Sequence, residues 1–359
     1  MKTGSRVTGL VALALALSLT AGCSGGIDSN DVPGKDVKTS AANVPDAAVG
    51  HVPSLRPELF TQVSGPEAAL NDDSFFPEAY LEGPAFDRKG EFLYFTENTK
   101  IYRLRMSDRN LETIATYPGA SLSSIAIHKD GRLFVASISD KSLNGGGRLF
   151  SINPDGSGYH EIAASTADKP INPDDLVFDR KGNLYWTDQR GEVLHPQGHV
   201  FKTSPDGQQT EVVTDNLTTP NGIALTPDDS QLIVNEFQTG KIIAIGIDGE
   251  GKVSDGPFGK NITLSHQFEP QIRVDSNEVD SEGNVYIGSY GKGTGYVINA
   301  AGDLVANLEF PDPKGYKFLC NFSIRPGTNE AFAVAGGSKG LAIYTFESLD
   351  PGMTLYAQQ

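Results

Sequence analysis

The sequence predicts an all-β fold: a six-bladed β-propeller of four-stranded antiparallel blades. Three observations carry this prediction. A β-hairpin recurs six times, a second hairpin follows each copy, and nothing beyond the first residues keeps a helical period.

The clearest copy of the hairpin is Asn172 to Asp188, NPDDLVFDRKGNLYWTD. Two carboxylates, Asp174 and Asp175, lead into the apolar strand Leu176 to Phe178. A polar glycine turn follows, and then the apolar strand Leu184 to Trp186. The other copies are Glu82 to Thr96, Ser123 to Ser137, Asn221 to Asn235, Asp275 to Ser289 and Asn321 to Ala335. Their turn slots are Gly90, Gly131, Gly182, Asp229, Gly283 and Asn329, spaced 41, 51, 47, 54 and 46 residues apart. Gly, Asp and Asn tolerate the positive φ that such turns need.

The second hairpins start from Ile101–Leu104, Arg148–Ile152, His199–Thr203, Lys241–Ile245, Gly295–Ile298 and Leu341–Phe346, several running into Asp-Gly turns. Two hairpins per repeat make a four-stranded blade, and six repeats make a closed ring. A strand near Leu59 to Val63 is expected to pair with Leu341 to Phe346 and leave no long open edge.

The first residues stand apart. Lys2 and Arg6 precede an apolar run from Val7 to Leu19, and LTAGC ends at Cys23. A run of about thirteen residues is too short to span a bilayer and reads as a signal peptide, residues 1–22. The LTAGC ending resembles a bacterial lipobox, so Cys23 is expected to be lipidated and to anchor an exported lipoprotein in the bacterial cell envelope. Residues 23–55 are rich in Ser, Gly, Asp, Ala and Pro and are expected to form a flexible tether. The propeller is expected over 56–359. With Cys23 lipidated, Cys320 is the remaining thiol, no internal disulfide can form, and Cys320 is expected as a buried, small apolar residue.

Removal of residues 1–22 takes away Lys2 and Arg6 and no acid, moving the formal charge from −16 to −18. Such a surface argues against nucleic acid or anionic lipid as a partner and suits a cation. The membrane is expected to be met through the N-terminal lipid only, and a monomer is expected.

Equivalent blade positions lie on one ring about a propeller's axis. The residue eight before each turn slot is Glu82, Ser123, Asp174, Asn221, Asp275 or Asn321, and each of these bears oxygen. Polar residues at strand starts often do no more than cap local backbone groups. Six of six polar, with three carboxylates, instead point to a cation, because converging carboxylates raise one another's pKa. Oxygen donors without sulfur or imidazole favour Ca²⁺ over Zn²⁺, and the amide and hydroxyl members suit its looser shell better than Mg²⁺.

At this point the motifs take on a family likeness. EGP at Glu82, PDDLVFD at Pro173, PNGIAL at Pro220 and VDSNEVDSEGNVYI at Val274 resemble, in order and register, the regucalcin/gluconolactonase/lactonase family of six-bladed propellers. The resemblance covers about Ser64 to Phe346. The Asp174-Asp175 pair, Asp275-Ser276 and the segment Thr187 to Gly191 are most similar to its drug-responsive lactonase branch.

The resemblance implies that Glu82, Asp174, Asn221 and Asp275, helped by Ser276, hold a catalytic Ca²⁺, and that Asp275 is the acid/base. It also implies lactone hydrolysis, with a small-molecule lactone or related ester as substrate. The branch carries a second, structural Ca²⁺ near the loop before the acid pair. Here Ser165 to Ile171 is longer or shifted and contains Lys169, so that site stays open.

Asp175 is the rival base. It is expected to point away from the ring if Asp174 faces it, because strand neighbours alternate. The two alternatives to lactone hydrolysis are phosphotriester-type hydrolysis at the same metal and a non-catalytic envelope propeller that binds a sugar, peptide or protein.

None of His51, His128, His160, His195, His199 and His266 holds a ring position. His128 is expected as an exposed turn residue, and His195 and His199 in a loop near the site. No nucleophile elbow and no phosphate-cradling glycine loop appear. Pro257 to Gln271 and Phe310 to Lys317 are expected as candidate pocket walls.

Overall fold

The computed structural model describes residues 52–65 and 80–359, all within one compact unit, His51–Gln359. The signal peptide and Cys23 lie outside the described residues, as does most of the tether. The described chain is all-β, apart from two 3-10 turns at Lys141–Leu143 and Tyr356–Gln358.

Four sheets are separate four-stranded antiparallel meanders in chain order, here modules one to four. They begin at strands Leu81–Phe86, Ala120–Ile127, Pro173–Phe178 and Pro220–Leu225. A nine-stranded sheet contains two more. Module five runs from Arg273–Val279 to Leu304–Glu309. Module six comprises Phe318–Ile324, Glu330–Gly337 and Gly340–Glu347, completed by the early strand Glu58–Ser64. A single pair, Tyr290 with Phe318, joins modules five and six.

The expected closing strand is present: Leu59 pairs with Tyr344 and Thr61 with Ile343. Ser54–Leu55, at the end of the expected tether, adds a short parallel strand to Leu304–Glu309.

The core sits between the modules. Six apolar clusters each join two modules: five join neighbours in chain order, and one joins module six to module one. Trp186 of module three packs with Phe134 of module two, and Tyr185 of module three packs with Leu232 of module four. Phe332 and Ile343 of module six pack with Phe86 and Phe95 of module one. The second strand of each module is buried along most of its length on both faces, which is why these segments read as near-continuous apolar runs.

The first strand of every module carries a β-bulge at the ring position or, in module one, directly after it. The registers shift between Glu82 and Ala85, Leu122 and Ser124, Pro173 and Leu176, Pro220 and Ile223, Val274 and Asn277, and Leu319 and Asn321. A bulge frees a residue from the ladder and re-aims its side chain. Glycine serves where first strands of neighbouring modules nearly touch. A Cβ on Gly83, at φ 54°, would lie 2.4 Å from Ser124 Cα.

The hairpin turns correct one predicted register. In modules one to five a closing hydrogen bond starts five residues after the ring position, as in Asp87 N to Phe92 O and Asp179 N to Asn183 O. Gly90, Gly131, Gly182, Asp229 and Gly283 all have positive φ. In module six the bond starts at Arg325 N, reaching Glu330 O, and the positive φ falls on Gly327. The N–H that donates back across the turn, as Gly90 N does to Asp87 O, is that of Thr328, to Arg325 O, so Asn329 is one residue late as a turn slot and the sixth ring residue is Cys320, not Asn321. A one-residue slip turns a side chain to the other side.

Candidate metal centre

The bulges bring Glu82, Ser123, Asp174, Asn221 and Asp275 to one cavity of about 810 Å³. Asn321 is absent from its lining. It lies with Asp175 and Glu278 on a smaller cavity of about 80 Å³, to which the residues following the ring contribute. The first strands thus run from the large cavity to the small one, with the ring between them.

At the ring, all the predicted metal-site residues are buried. Ligand atoms of Glu82, Asp275 and Cys320 lie within 4.8 Å of one another. Asp174 is 4% exposed, and its Oδ2 has no hydrogen-bond partner. Ser276 Oγ donates to Asn221 Oδ1 at 3.3 Å. Asn221 is held from behind by Thr187 Oγ1, which donates to its carbonyl at 2.6 Å. The Asp275 carbonyl accepts from Asn235 Nδ2 at 2.6 Å. Ser123 Oγ is turned to the main chain, donating to Asp174 O at 2.9 Å.

The electrostatics are one-sided. Burial pushes Glu82 well above the usual carboxylate range, and the charges of Asp275, Asp174 and Asp175 push it further. Asp174 is raised by burial and by Asp275 and Asp175. Asp275 is pushed up to about 7 by burial, although hydrogen bonds from Cys320 and Asn221 oppose this. Two like charges about 4 Å apart repel by about 4 kcal/mol even at an effective dielectric of about 20. Without a cation the group must hold extra protons. The orphaned Asp174 oxygen and the oxygen-rich donor set fit a hard divalent ion.

Asp175 is turned away from the large cavity and is well satisfied. Its Oδ1 accepts from Ser124 Oγ at 2.6 Å and Leu176 N at 3.0 Å, and its Oδ2 from Ile223 N at 3.2 Å. Its hydrogen bond with the Ser276 side chain links it to the ring, and burial places its pKa at about 6.

Sequence reasoning missed Tyr80, Arg273 and Tyr290 on the cavity wall. A signal existed: Tyr80, Ser121, Thr219 and Arg273 all sit two residues before a ring position and share its side of the strand. Tyr80 Oη and Ser121 Oγ are 2.6 Å apart, and Arg273 is anchored by donating to Gln238 O at 2.7 Å.

Cys320 is buried as expected, but its thiol faces carboxylates, which with burial raise its pKa. His128 is not an exposed turn residue. Tyr356 from the chain end packs on it with ring centroids 5.0 Å apart, and Phe178 flanks it. Neither His195 nor His199 lines the cavity, although Gln189 and Gly191 between them and the ring do. Residues of Pro257 to Gln271 and Phe310 to Lys317 do not wall it either. Phe268, Phe310 and Tyr316 are spent in the core. The 165–171 loop closes on itself through Lys169 N to Thr166 Oγ1, 3.0 Å, with Asp168 exposed.

Residues 82–323 match the family model described as the SMP-30/Gluconolactonase/LRE-like region. The chain is 31% identical over 310 residues to lactonase drp35 of Staphylococcus haemolyticus, covering 84% of this chain and 92% of that one. It is 30% identical over 339 residues to lactonase drp35 of Staphylococcus saprophyticus, covering 92% and 99%. Among solved structures it resembles a calcium-binding regucalcin from Agrobacterium tumefaciens, with TM-score 0.64, 14% identity, and 84% and 99% of the chains covered. It also resembles a gluconolactonase from Xanthomonas campestris, with TM-score 0.60, 20% identity, and 82% and 96% covered. The two structural likenesses show a shared propeller-like fold. With two thirds of its length matched by the family model, this chain belongs to the SMP-30/gluconolactonase/LRE-like family.

Proposed function

We propose that this protein is a Ca²⁺-dependent lactone hydrolase, built as a closed six-bladed propeller and held at the bacterial envelope by a lipid on Cys23. The observation that carries the catalytic reading is the set Glu82, Asp174 and Asp275. These three buried carboxylates face an 810 Å³ cavity, and no Lys, Arg or His among the described residues pairs with them. The cyclic series of six inter-module cores supports the closed ring, and the drp35 lactonases support the substrate class.

Glu82, Asp174, Asn221 and Asp275, with Ser276, would hold the ion. When bound, Ca²⁺ supplies a Lewis acid that offsets charge developing on an ester carbonyl oxygen and acidifies a nearby water. Asp275 takes the proton from the attacking water and returns it to the leaving alkoxide. Asp175 acts as a positioning residue through Ser276 and Ile223 N, since it does not reach the cavity. Tyr80 and Arg273 present polar groups to the hydroxyls and ring oxygen of a small lactone.

Turnover of aldonolactones, dihydrocoumarin and paraoxon, with and without EDTA, tests this. Lactone opening that EDTA abolishes and Ca²⁺ restores is the expected result. Turnover of paraoxon alone would mean a phosphotriesterase, and no EDTA-sensitive turnover a binding propeller.

A further inference from the structure

Five ring residues bear oxygen; the sixth bears sulfur. Cys320 lies in the bulge of module six, as Asp275 does in module five, and stands five residues before the closing hydrogen bond of its hairpin, as Glu82 does in module one. It is 1% exposed. Its Sγ and carboxylate oxygens of Glu82 and Asp275 all lie within 4.8 Å of one another. Ligand atoms bound to one ion at about 2.0–2.6 Å cannot lie farther apart than about twice that distance. The three atoms are therefore near enough to converge on one ion with a small adjustment of their side chains. A second observation points to an absent ligand beside it: Asp174 Oδ2 is buried without a partner on the cavity that Glu82 and Asp275 line, and Cys320 lies behind that lining.

We infer that Cys320 is a donor of this centre, supplying sulfur to a thiophilic cation such as Cd²⁺ bound there. The inference rests on the reading that the ring binds a cation, and it changes the ion's character. Thiolate selects softer metals and contributes little to Ca²⁺, which takes oxygen. On binding a soft ion, the S–H bond breaks, an S–metal bond forms, and the proton leaves to solvent.

The test is titration of the metal-free full chain with Cd²⁺, following sulfur-to-cadmium charge transfer in the ultraviolet. Calorimetry with Ca²⁺ runs alongside. The expected result is a band that saturates at one equivalent, is lost in Cys320→Ser, and is diminished by excess Ca²⁺. Cys23 is retained in the variant, so any band from that thiol persists there. If Cys320→Ser fails to fold, Cys320→Ala and the ¹¹³Cd resonance of the wild-type protein, displaced towards sulfur ligation, give the same reading. Wild-type protein that binds Ca²⁺ and shows no band overturns the inference and leaves the calcium reading standing. A Cys320-dependent band without Ca²⁺ binding does the reverse. A full band in the variant overturns the inference.

Discussion

Asp174 and Asp175 are adjacent in the chain and face opposite sides of the ring. Asp174 Oδ2 is buried without a partner, whereas both oxygens of Asp175 are hydrogen-bonded, the shortest contact being 2.6 Å to Ser124 Oγ. The bulge between Pro173 and Leu176 separates them. Their amides should therefore behave oppositely. Asp174→Asn relieves repulsion, so thermal unfolding of the metal-free protein should move up while Ca²⁺ affinity falls. Asp175→Asn leaves a buried N–H facing an amide and should cost about 1–3 kcal/mol in urea unfolding, with Ca²⁺ still bound. Equal effects of the two changes would refute the division of roles.

Asp275→Asn removes the proposed base. Lactone turnover should drop by about 10²–10⁴-fold, with bound Ca²⁺ checked by calorimetry. Wild-type turnover with the ion in place would assign the base elsewhere.

The raised carboxylates make the metal-free fold sensitive to alkali. Asp275 titrates at about 7 in the folded protein against an ordinary 3.8, and Glu82 and Asp174 are raised too. The folded state thus keeps protons that the unfolded chain has released. Stability from these groups is full at low pH, falls above about 3.8, and is lost as pH rises through about 7. Melting temperatures in EDTA should decline from about pH 5 to pH 8, and the gain from added Ca²⁺ should grow over the same window. A pH-independent gain would contradict a site built from these carboxylates.

Tyr356 closes the side of the molecule away from the large cavity. It packs against Phe178 with ring centroids 5.4 Å apart and against His128, and it lines the small cavity near Asp175. Tyr356→Ala should cost about 3–5 kcal/mol in urea unfolding while KM for a lactone stays near wild type. A change in KM without lost stability would show that the chain end acts on the substrate side.

Export and anchoring can be examined in cells. Labelled palmitate should enter the protein and be lost in Cys23→Ser, with the variant released from membranes. Unlabelled wild-type protein would remove the anchor from the proposal.

Most of the architecture was legible because strands alternate locally and turns announce themselves. Asp-Arg-Lys-Gly at 87–90 repeats unchanged at 179–182, marking two hairpins without any knowledge of their partners. The closing strand was legible as well, since Glu58–Ser64 is the early segment left to pair with Gly340–Glu347. Counting back from those turns found five ring residues correctly. It failed in module six, where positive φ sits on Gly327 and the count began at Asn329.

Local pattern thus set the six repeats, the hairpin turns and the polar character of the ring, because each depends on residues a few positions apart. Which oxygen of which acid faces the cavity depended on bulges, and a bulge is defined by the opposing strand as much as by its own. The burial of His128 under Tyr356, and the meeting of Cys320 with Glu82, join residues more than 200 positions apart. Only the packing of distant modules brings them together, and where module six meets module one it sets a thiol among carboxylates.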